Sequence, residues 1–354
     1  MLMTIGLIAG LWLAVLPAPG ATERPAAARS LDSPAALLEL NDEELLNRIE
    51  TDPNSLGSLS IGIPRGAVLV NAVALPAGPR WEAAPNADSW GTSETMAAIQ
   101  TAVDTVHELF PDTPPIVIGD ISARCGGHLK RHTTHQGGRD VDFGFYYKTG
   151  KSTWFAPGTS ANLDLPRNWA LVRAFLTRTD VETILLDTRI QRSLYQYALG
   201  LGEDKEWLDR VFQFSKGSRG AIICHVAGHR THYHVRFFNG VAQELGRRAR
   251  PLLVQAGLLN PPVYTVRHVV RRGETLGHLA TRYGTTIRAI MQANGLAAIQ
   301  LRAGRAYRIP RQAAIPPTEP VVVRQRLLPP QTPEALAAVA WPSAETLYGT
   351  TSDR

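Results

Sequence analysis

The chain has 354 residues, 44% hydrophobic and 19% charged, an ordinary globular balance with enough apolar material for a core and room for about two domains. This argues against a wholly disordered, collagen-like or disulfide-scaffold chain, and two cysteines exclude a four-cysteine structural zinc site. The net charge of +6 is uneven: Val263 to Arg311 holds nine arginines against one acid, Glu274, whereas the first 261 residues hold 25 basic and 26 acidic side chains. The basic preference for an anionic partner therefore belongs to one short C-terminal segment.

Read in chain order, residues 1–28 look like an export signal. Ile5 to Leu16 is an apolar run of signal-peptide length, too short to span a bilayer comfortably, and Ala26-Ala27-Ala28 fits a cleavage site. Residues 29–57 read as a linker with one amphipathic helix around Ala35 to Ile49. Ala67 to Ala74 predicts a strand. Thr92 or Ser93 caps a helix carrying Met96, Ile99, Val103, Val106 and Phe110, and Pro111 stops it. Ile116 to Ile118 is a short buried strand, and Val141 to Tyr147 a second one. A helix from Pro166 through Leu176, a strand over Glu182 to Leu186 and a helix over Ile190 to Ala198 follow. Another helix carries Trp207, Val211 and Phe212, and a strand over Val235 to Phe238 closes the series. The order lacks regular βαβ alternation, which favours α+β with an antiparallel sheet. Pro251 to Pro262 reads as a boundary, giving domains of 58–258 and 262–311. Residues 312–354 read as a Pro-rich, disordered or spacer tail.

Histidine placement is the strongest signal. Seven of ten histidines fall within 18 residues, where random placement gives about 0.5. The first cluster, HLKRHTTHQGGRDVDF, puts His135 on a loop before Gly137-Gly138 and a strand on which Asp140 and Asp142 share a face. The glycines permit the bend that would let His135 meet Asp142. The second cluster, HVAGHRTHYHVRF, puts His232 and His234 on one side of an incipient strand, with Val235 and Phe237 facing the core. Catalytic zinc needs three protein ligands and an open position, and His135, Asp142 and His234 supply two nitrogens and one oxygen.

GDISARCGGHLKRHTTHQGGRDVDF and GHRTHYHVRF resemble the two motifs of the penicillin-insensitive murein endopeptidases, zinc peptidases of the LAS fold shared with D-Ala-D-Ala peptidases and the hedgehog signalling domain. The pattern His-x2-His-x6-Asp is matched by His132, His135 and Asp142, and His-x2-His-x-His by His229, His232 and His234. More weakly, the resemblance extends over roughly Ser58 to Ala249. It implies zinc (Zn2+) on His135, Asp142 and His234. It implies that His232 orients or protonates at the reacting carbonyl, with His132 and His229 lining the site. Related D-Ala-D-Ala peptidases carry a glutamate base where this chain has Thr231, so the base is His232, His229 or an acid not yet located. Arg124, just before the first cluster, is a candidate for a substrate carboxylate or carbonyl. Asp140 is expected behind the ligands. Cys125 and Cys224 each precede one cluster, and a disulfide between them is expected in an exported protein.

YTVRHVVRRGETLGHLATRYGTTIRAIMQANGL…LRAGRAYRIP resembles a LysM domain, a βααβ module that binds N-acetylglucosamine-containing glycans. Locally, Thr275 caps a helix with Leu276, Leu279 and Ala280 inward, ended by Gly284. Thr286 or Thr285 caps a second with Ile287, Ile290 and Met291 inward, ended by Asn294-Gly295. By resemblance the glycan groove lies between Gly273-Glu274-Thr275-Leu276 and the loop around Asn294, Gly295 and Leu296. The resemblances together imply a zinc-dependent DD-endopeptidase that cuts D-alanyl–diaminopimelyl cross-links of peptidoglycan in the periplasm or outside the cell. No nucleic acid is expected as partner, and no membrane after signal cleavage. The rival readings are a D-Ala carboxypeptidase of the same fold and a non-catalytic wall-binding protein with a structural zinc.

Overall fold

The structure is a computed structural model that describes residues 34–130, 132–213, 220–261, 263–312, 319–322 and 325–330. The expected signal segment lies outside them.

Helices α1 (Pro34–Leu38) and α2 (Asp42–Thr51) lead into a 3-10 turn, Pro53–Leu56. Strands β1 (Leu59–Ile61), β2 (Val68–Val70), β3 (Val73–Ala74), β4 (Trp81–Ala83) and β5 (Trp90–Gly91) precede helix α3 (Ser93–Leu109). Then come β6 (Ile116–Ile118), β7 (Asp140–Phe143), α4 (Leu165–Arg178), β8 (Val181–Leu185), α5 (Thr188–Gly200) and α6 (Lys205–Val211). Strands β9 (Ile223–Cys224) and β10 (Tyr233–Phe237) and helix α7 (Gly240–Gln255) end this region. A six-stranded sheet runs β4-β6-β7-β10-β8-β9, antiparallel through its centre and parallel at β4/β6 and β8/β9. This is the mixed helix-and-sheet arrangement expected of an α+β chain.

Local chemistry sets most element ends. The Thr92 hydroxyl accepts from the Thr95 N–H at the start of α3, and Asp164 and Asp204 cap α4 and α6 in the same way. The apolar faces of α3 and α4, including Ile99, Val103, Trp169 and Phe175, pack with the core side of β6, β7, β8 and β10. Val141 and Val235, paired across β7 and β10, belong to that core, so by strand alternation the residues on either side of each point the other way.

Several boundaries differ from expectation. The single helix over 35–49 is two, because Asn41 and Glu44 form a capping box that restarts the chain at Asp42. These helices are no free linker: Leu37, Leu45, Ile49 and Leu56 form a second core with Leu245, Ala249 and Leu253 of α7. Asn71, with φ of 52°, splits the expected strand over 67–74 into β2 and β3. Helix α7 runs through Pro251 to Gln255, so the start of the expected 251–262 boundary is helical and only the residues after Gln255 can serve as one. The described parts of the Pro-rich tail lie on the same body. The Leu327 carbonyl accepts from Trp207 Nε1 at 2.7 Å, Arg326 pairs with Asp180 at 2.6 Å, and the Val321 N–H donates to Glu244.

Strand β11 (Val263–Val269), helices α8 (Leu276–Tyr283) and α9 (Ile287–Asn294) and strand β12 (Ala306–Gln312) form the remaining module, with β11 antiparallel to β12. Thr275 and Thr286 cap the helices, and Gly284 and Gly295 end them in left-handed conformation, as the sequence predicts. Leu279, Ile290 and Ile309 are fully buried, but Ile287, expected inward, is exposed because it opens α9 on the solvent side.

Candidate metal centre

The centre straddles β7 and β10, the two middle strands. Their register sets His234 directly opposite Asp142 and Arg236 opposite Asp140. Directly opposed residues have Cβ atoms about 5 Å apart, which brings the second histidine cluster onto the first. His135 reaches the same point from the β6–β7 loop. It adopts φ of 62° itself, so the bend begins at the histidine rather than at the glycines alone. Gly138 (φ 70°) completes it, and a side chain there would also strike the Gly91 backbone at 2.9 Å. The Gly138 carbonyl is held by the Thr92 N–H and the Thr95 hydroxyl.

Three donor atoms form a small triangle. His135 Nε2 and His234 Nδ1 are 3.0 Å apart, and Asp142 Oδ1 lies 3.3 Å from the first and 3.2 Å from the second. A tetrahedral ion about 2.0–2.1 Å from each donor needs edges of about 3.3–3.4 Å. All three side chains are buried. Asp142 Oδ1 is buried without a hydrogen bond of good geometry although three imidazoles surround it. An orphaned carboxylate oxygen facing converging imidazole nitrogens is the donor set of a metal site, and these residues fit one.

The atoms behind the triangle fix its orientation. His135 Nδ1 lies 3.1 Å from the Ile121 carbonyl, a contact that places the proton on Nδ1 and leaves Nε2 free. His234 Nε2 lies 2.9 Å from Asp140 Oδ1, which leaves Nδ1 free in the same way. Arg236 Nε donates to that same Asp140 oxygen at 2.8 Å. Asp140 thus stands behind the ligands, as its parity with Asp142 predicts. Asp140→Asn is expected to leave the fold intact and weaken metal affinity about 10–100-fold. Chelator competition checks this; unchanged affinity would remove Asp140 from the centre.

A second grouping is looser. His132, His135 and Asp142 each offer a ligand atom within 4.8 Å of one another. His132 Nε2, however, is 2.9 Å from Asp120 Oδ2, and its ring stands 4.2 Å from that of His135. Asp120 is an acid next to the expected site that the histidine spacing does not reveal.

His232 borders the triangle, with Nε2 3.6 Å from Asp142 Oδ1 and Nδ1 2.9 Å from the Thr231 hydroxyl. Thr231 therefore serves His232 here. The ring of His229 lies 5.2 Å from that of His232 and 5.7 Å from that of His234. All six histidine and aspartate positions of the sequence motifs meet in one place.

The electrostatics are divided. Burial would raise the Asp142 carboxyl, but the facing imidazoles of His135, His234 and His232 hold it well below the usual range. Asp140 is likewise pulled down against burial by His234 and Arg236. Burial would lower His234, but its hydrogen bond to Asp140 and the facing Asp142 carboxylate hold it up at about 9. For His232 burial dominates despite Asp142 and brings it down to about 4. Burial also lowers His229.

These opposed shifts predict a stability maximum for the metal-stripped protein. His232, lowered to about 4, adds stability as pH rises from about 4 to about 6.5, because the unfolded chain binds the extra proton there. His234, raised to about 9, contributes fully below about 6.5, and that stability is lost as pH rises through about 9. Metal ligation requires neutral imidazole, so the loaded protein should lack the alkaline decline. Denaturant midpoints against pH, with and without metal, check this; identical profiles would contradict it.

Other expected residues lie apart. Arg124 is exposed and sits over the Trp90 ring, 5.3 Å from its centroid. Cys125 and Cys224 are free thiols, which corrects the expected disulfide. Cys224 lies on the edge strand β9, three strands or about 14 Å along the sheet from β7. Cys125 sits in a turn, and its carbonyl accepts from the Leu69 N–H of β2. Meeting of the clusters therefore does not bring their flanks together. In the basic module, Leu276 is buried core. Glu274 accepts from His268 Nε2 and the Arg271 N–H, and Asn294 is bonded to both backbone groups of Arg308. These three side chains hold the module together, whatever the backbone around Gly273, Thr275 and Gly295 contacts.

Buried histidines and carboxylates converging on two central strands make a donor set that could hold a metal ion. Residues 60–162 match the family model of the penicillin-insensitive murein endopeptidases, which makes the chain a metallopeptidase. Residues 268–310 match the LysM domain. No curated protein matches the chain. The family match ends before the second histidine cluster, which β10 pairing joins to the first. A murein-acting region with a LysM domain makes peptidoglycan the partner and places the protein at the cell wall, outside the cytoplasm. Among the described residues no helix is long and apolar enough to cross a membrane.

Proposed function

We propose that the chain is a zinc-dependent DD-endopeptidase of LAS-type fold that hydrolyses D-alanyl–diaminopimelyl cross-links, held on the wall by its LysM module. The observation that carries this reading is the 3.0–3.3 Å triangle of His135, Asp142 and His234, one corner of which is a buried carboxylate oxygen without a hydrogen bond. These three would hold the ion, and His132, tied to Asp120, lines the site. When bound, zinc supplies Lewis acidity that polarises a carbonyl and lowers the pKa of water toward ~7.

The chain's own residues do the rest. Asp140 and the Ile121 carbonyl orient the two imidazoles. His232, neutral near pH 7 because it is buried, accepts a proton at Nε2 and returns it to the leaving amine. The Thr231 hydroxyl holds His232 Nδ1 during that exchange. His229 flanks His232, with ring centroids 5.2 Å apart. The arginines of residues 263–311 suit the carboxylates of murein, and a glycan groove between the 273–276 and 294–296 loops would bring the substrate near by a second contact. Export by the N-terminal signal to the periplasm or beyond completes the reading.

Digestion of purified cross-linked muropeptide dimers, with and without chelator and read by mass spectrometry, tests it. Conversion of dimers to monomers, abolished by chelator and restored by zinc, is expected. Loss of only a terminal D-alanine would assign the carboxypeptidase activity instead. Intact dimers from zinc-loaded protein would leave a wall-binding role.

A further inference from the structure

Phe155 has no place in the histidine motifs, yet it touches the reactive end of the site. Its ring stacks on His232, with centroids 5.4 Å apart and planes 19° from parallel. It is 58% exposed, so the fold gains little by burying it. A lone exposed aromatic is ordinary. This one also adopts φ of 61°, a left-handed conformation that bulky residues seldom hold and that is tolerated mainly where the surroundings or a function require it.

The loop that carries it is tied down at several points. The Tyr147 hydroxyl donates to the Ala156 carbonyl at 2.6 Å, and the Gly158 N–H donates to the Arg230 carbonyl at 2.7 Å. The second bond ties the Phe155 loop to the segment carrying His229 and His232. On the other side, Trp154 fills the space over Gly119, where a Cβ would lie 2.3 Å from the indole. The Trp154 ring is 6.1 Å from His232 and 5.7 Å from Phe155. Gly119 in turn donates its N–H to the Asp142 carbonyl. One strained loop thus spans from the backbone of a metal-ligand strand to the outer face of His232.

Resting on the endopeptidase reading above, we infer that Phe155 is a positioning residue that holds the His232 ring in place by stacking on it, and that its backbone strain is retained for that contact. Glycine at this position removes the ring and relaxes the backbone together. A structural role and a positioning role then give opposite signs in stability.

The test uses the full-length, zinc-loaded protein and a soluble muropeptide dimer. Phe155→Gly is expected to keep its zinc, to melt at an equal or higher temperature, and to lose about tenfold to a hundredfold in kcat with little change in KM, the scale of a small misplacement of a catalytic group. Phe155→Tyr, which can restack, is expected to recover most of kcat. Unchanged kcat in Phe155→Gly overturns the inference. So does a loss confined to KM, or an activity loss that tracks a lowered melting temperature. A parent protein that binds zinc but leaves the dimer uncut overturns the underlying reading, and this inference with it.

Discussion

Replacing His234 by alanine is expected to empty the metal centre and reduce turnover to background. His234 supplies one corner of the 3.0–3.3 Å triangle, and two remaining donors do not make the three-ligand set of a catalytic zinc. The loss also reaches behind the site: Asp140 keeps Arg236 but loses its imidazole, and Asp142 Oδ1, already without a good hydrogen bond, loses a facing group. Leaving buried carboxylates under-satisfied costs roughly 1–3 kcal/mol, so the variant should also melt lower than the stripped parent. Metal analysis after dialysis decides the point. Full occupancy in His234→Ala together with loss in His132→Ala would move the site to the looser set of His132, His135 and Asp142.

The parts of this centre that were legible in the sequence are those governed by short periods. Strand alternation put Asp140 with Asp142 and set His234 opposite in parity to Val235, and the structure keeps that division between site and core. Threonine caps and terminal glycines likewise fixed both helices of the basic module. Periodicity carries no information on which strands pair, so residues 135 and 234 were brought together only by the ligand needs of zinc and by the motif resemblance. Long-range packing was illegible for the same reason. Nothing local shows that residues 37–56 bury against α7, that Leu327 accepts from Trp207, or that Phe155 covers His232. The cysteine expectation failed because proximity of two motifs was extended to their flanks. A sheet separates flanks by about 4.8 Å per strand, and β9 lies outside the central pair. Pro251 opens the expected 251–262 boundary and removes one helical hydrogen bond, yet apolar contacts of Leu245, Ala249 and Leu253 carry α7 past it.

His232→Ala should separate metal binding from chemistry. His232 borders the triangle at 3.6 Å from Asp142 Oδ1 but is not one of its corners, so zinc content should match the parent. Its Nε2 faces the site while Nδ1 is held by Thr231, the arrangement of a group that exchanges a proton at one nitrogen only. Burial keeps it unprotonated near neutral pH, so it can take a proton before it gives one. General acid–base groups contribute about 10²–10⁴-fold, and kcat for dimer cleavage should fall by that much in the alanine variant, with KM little changed. Thr231→Val, which removes only the hydroxyl, should give a smaller loss in the same parameter, because it frees the imidazole without removing it. Near-normal kcat in His232→Ala would pass the role to His229, whose ring is 5.2 Å away, or to the His132–Asp120 pair on the opposite loop. Zinc loss in His232→Ala would instead make His232 a ligand and reopen the geometry of the whole centre.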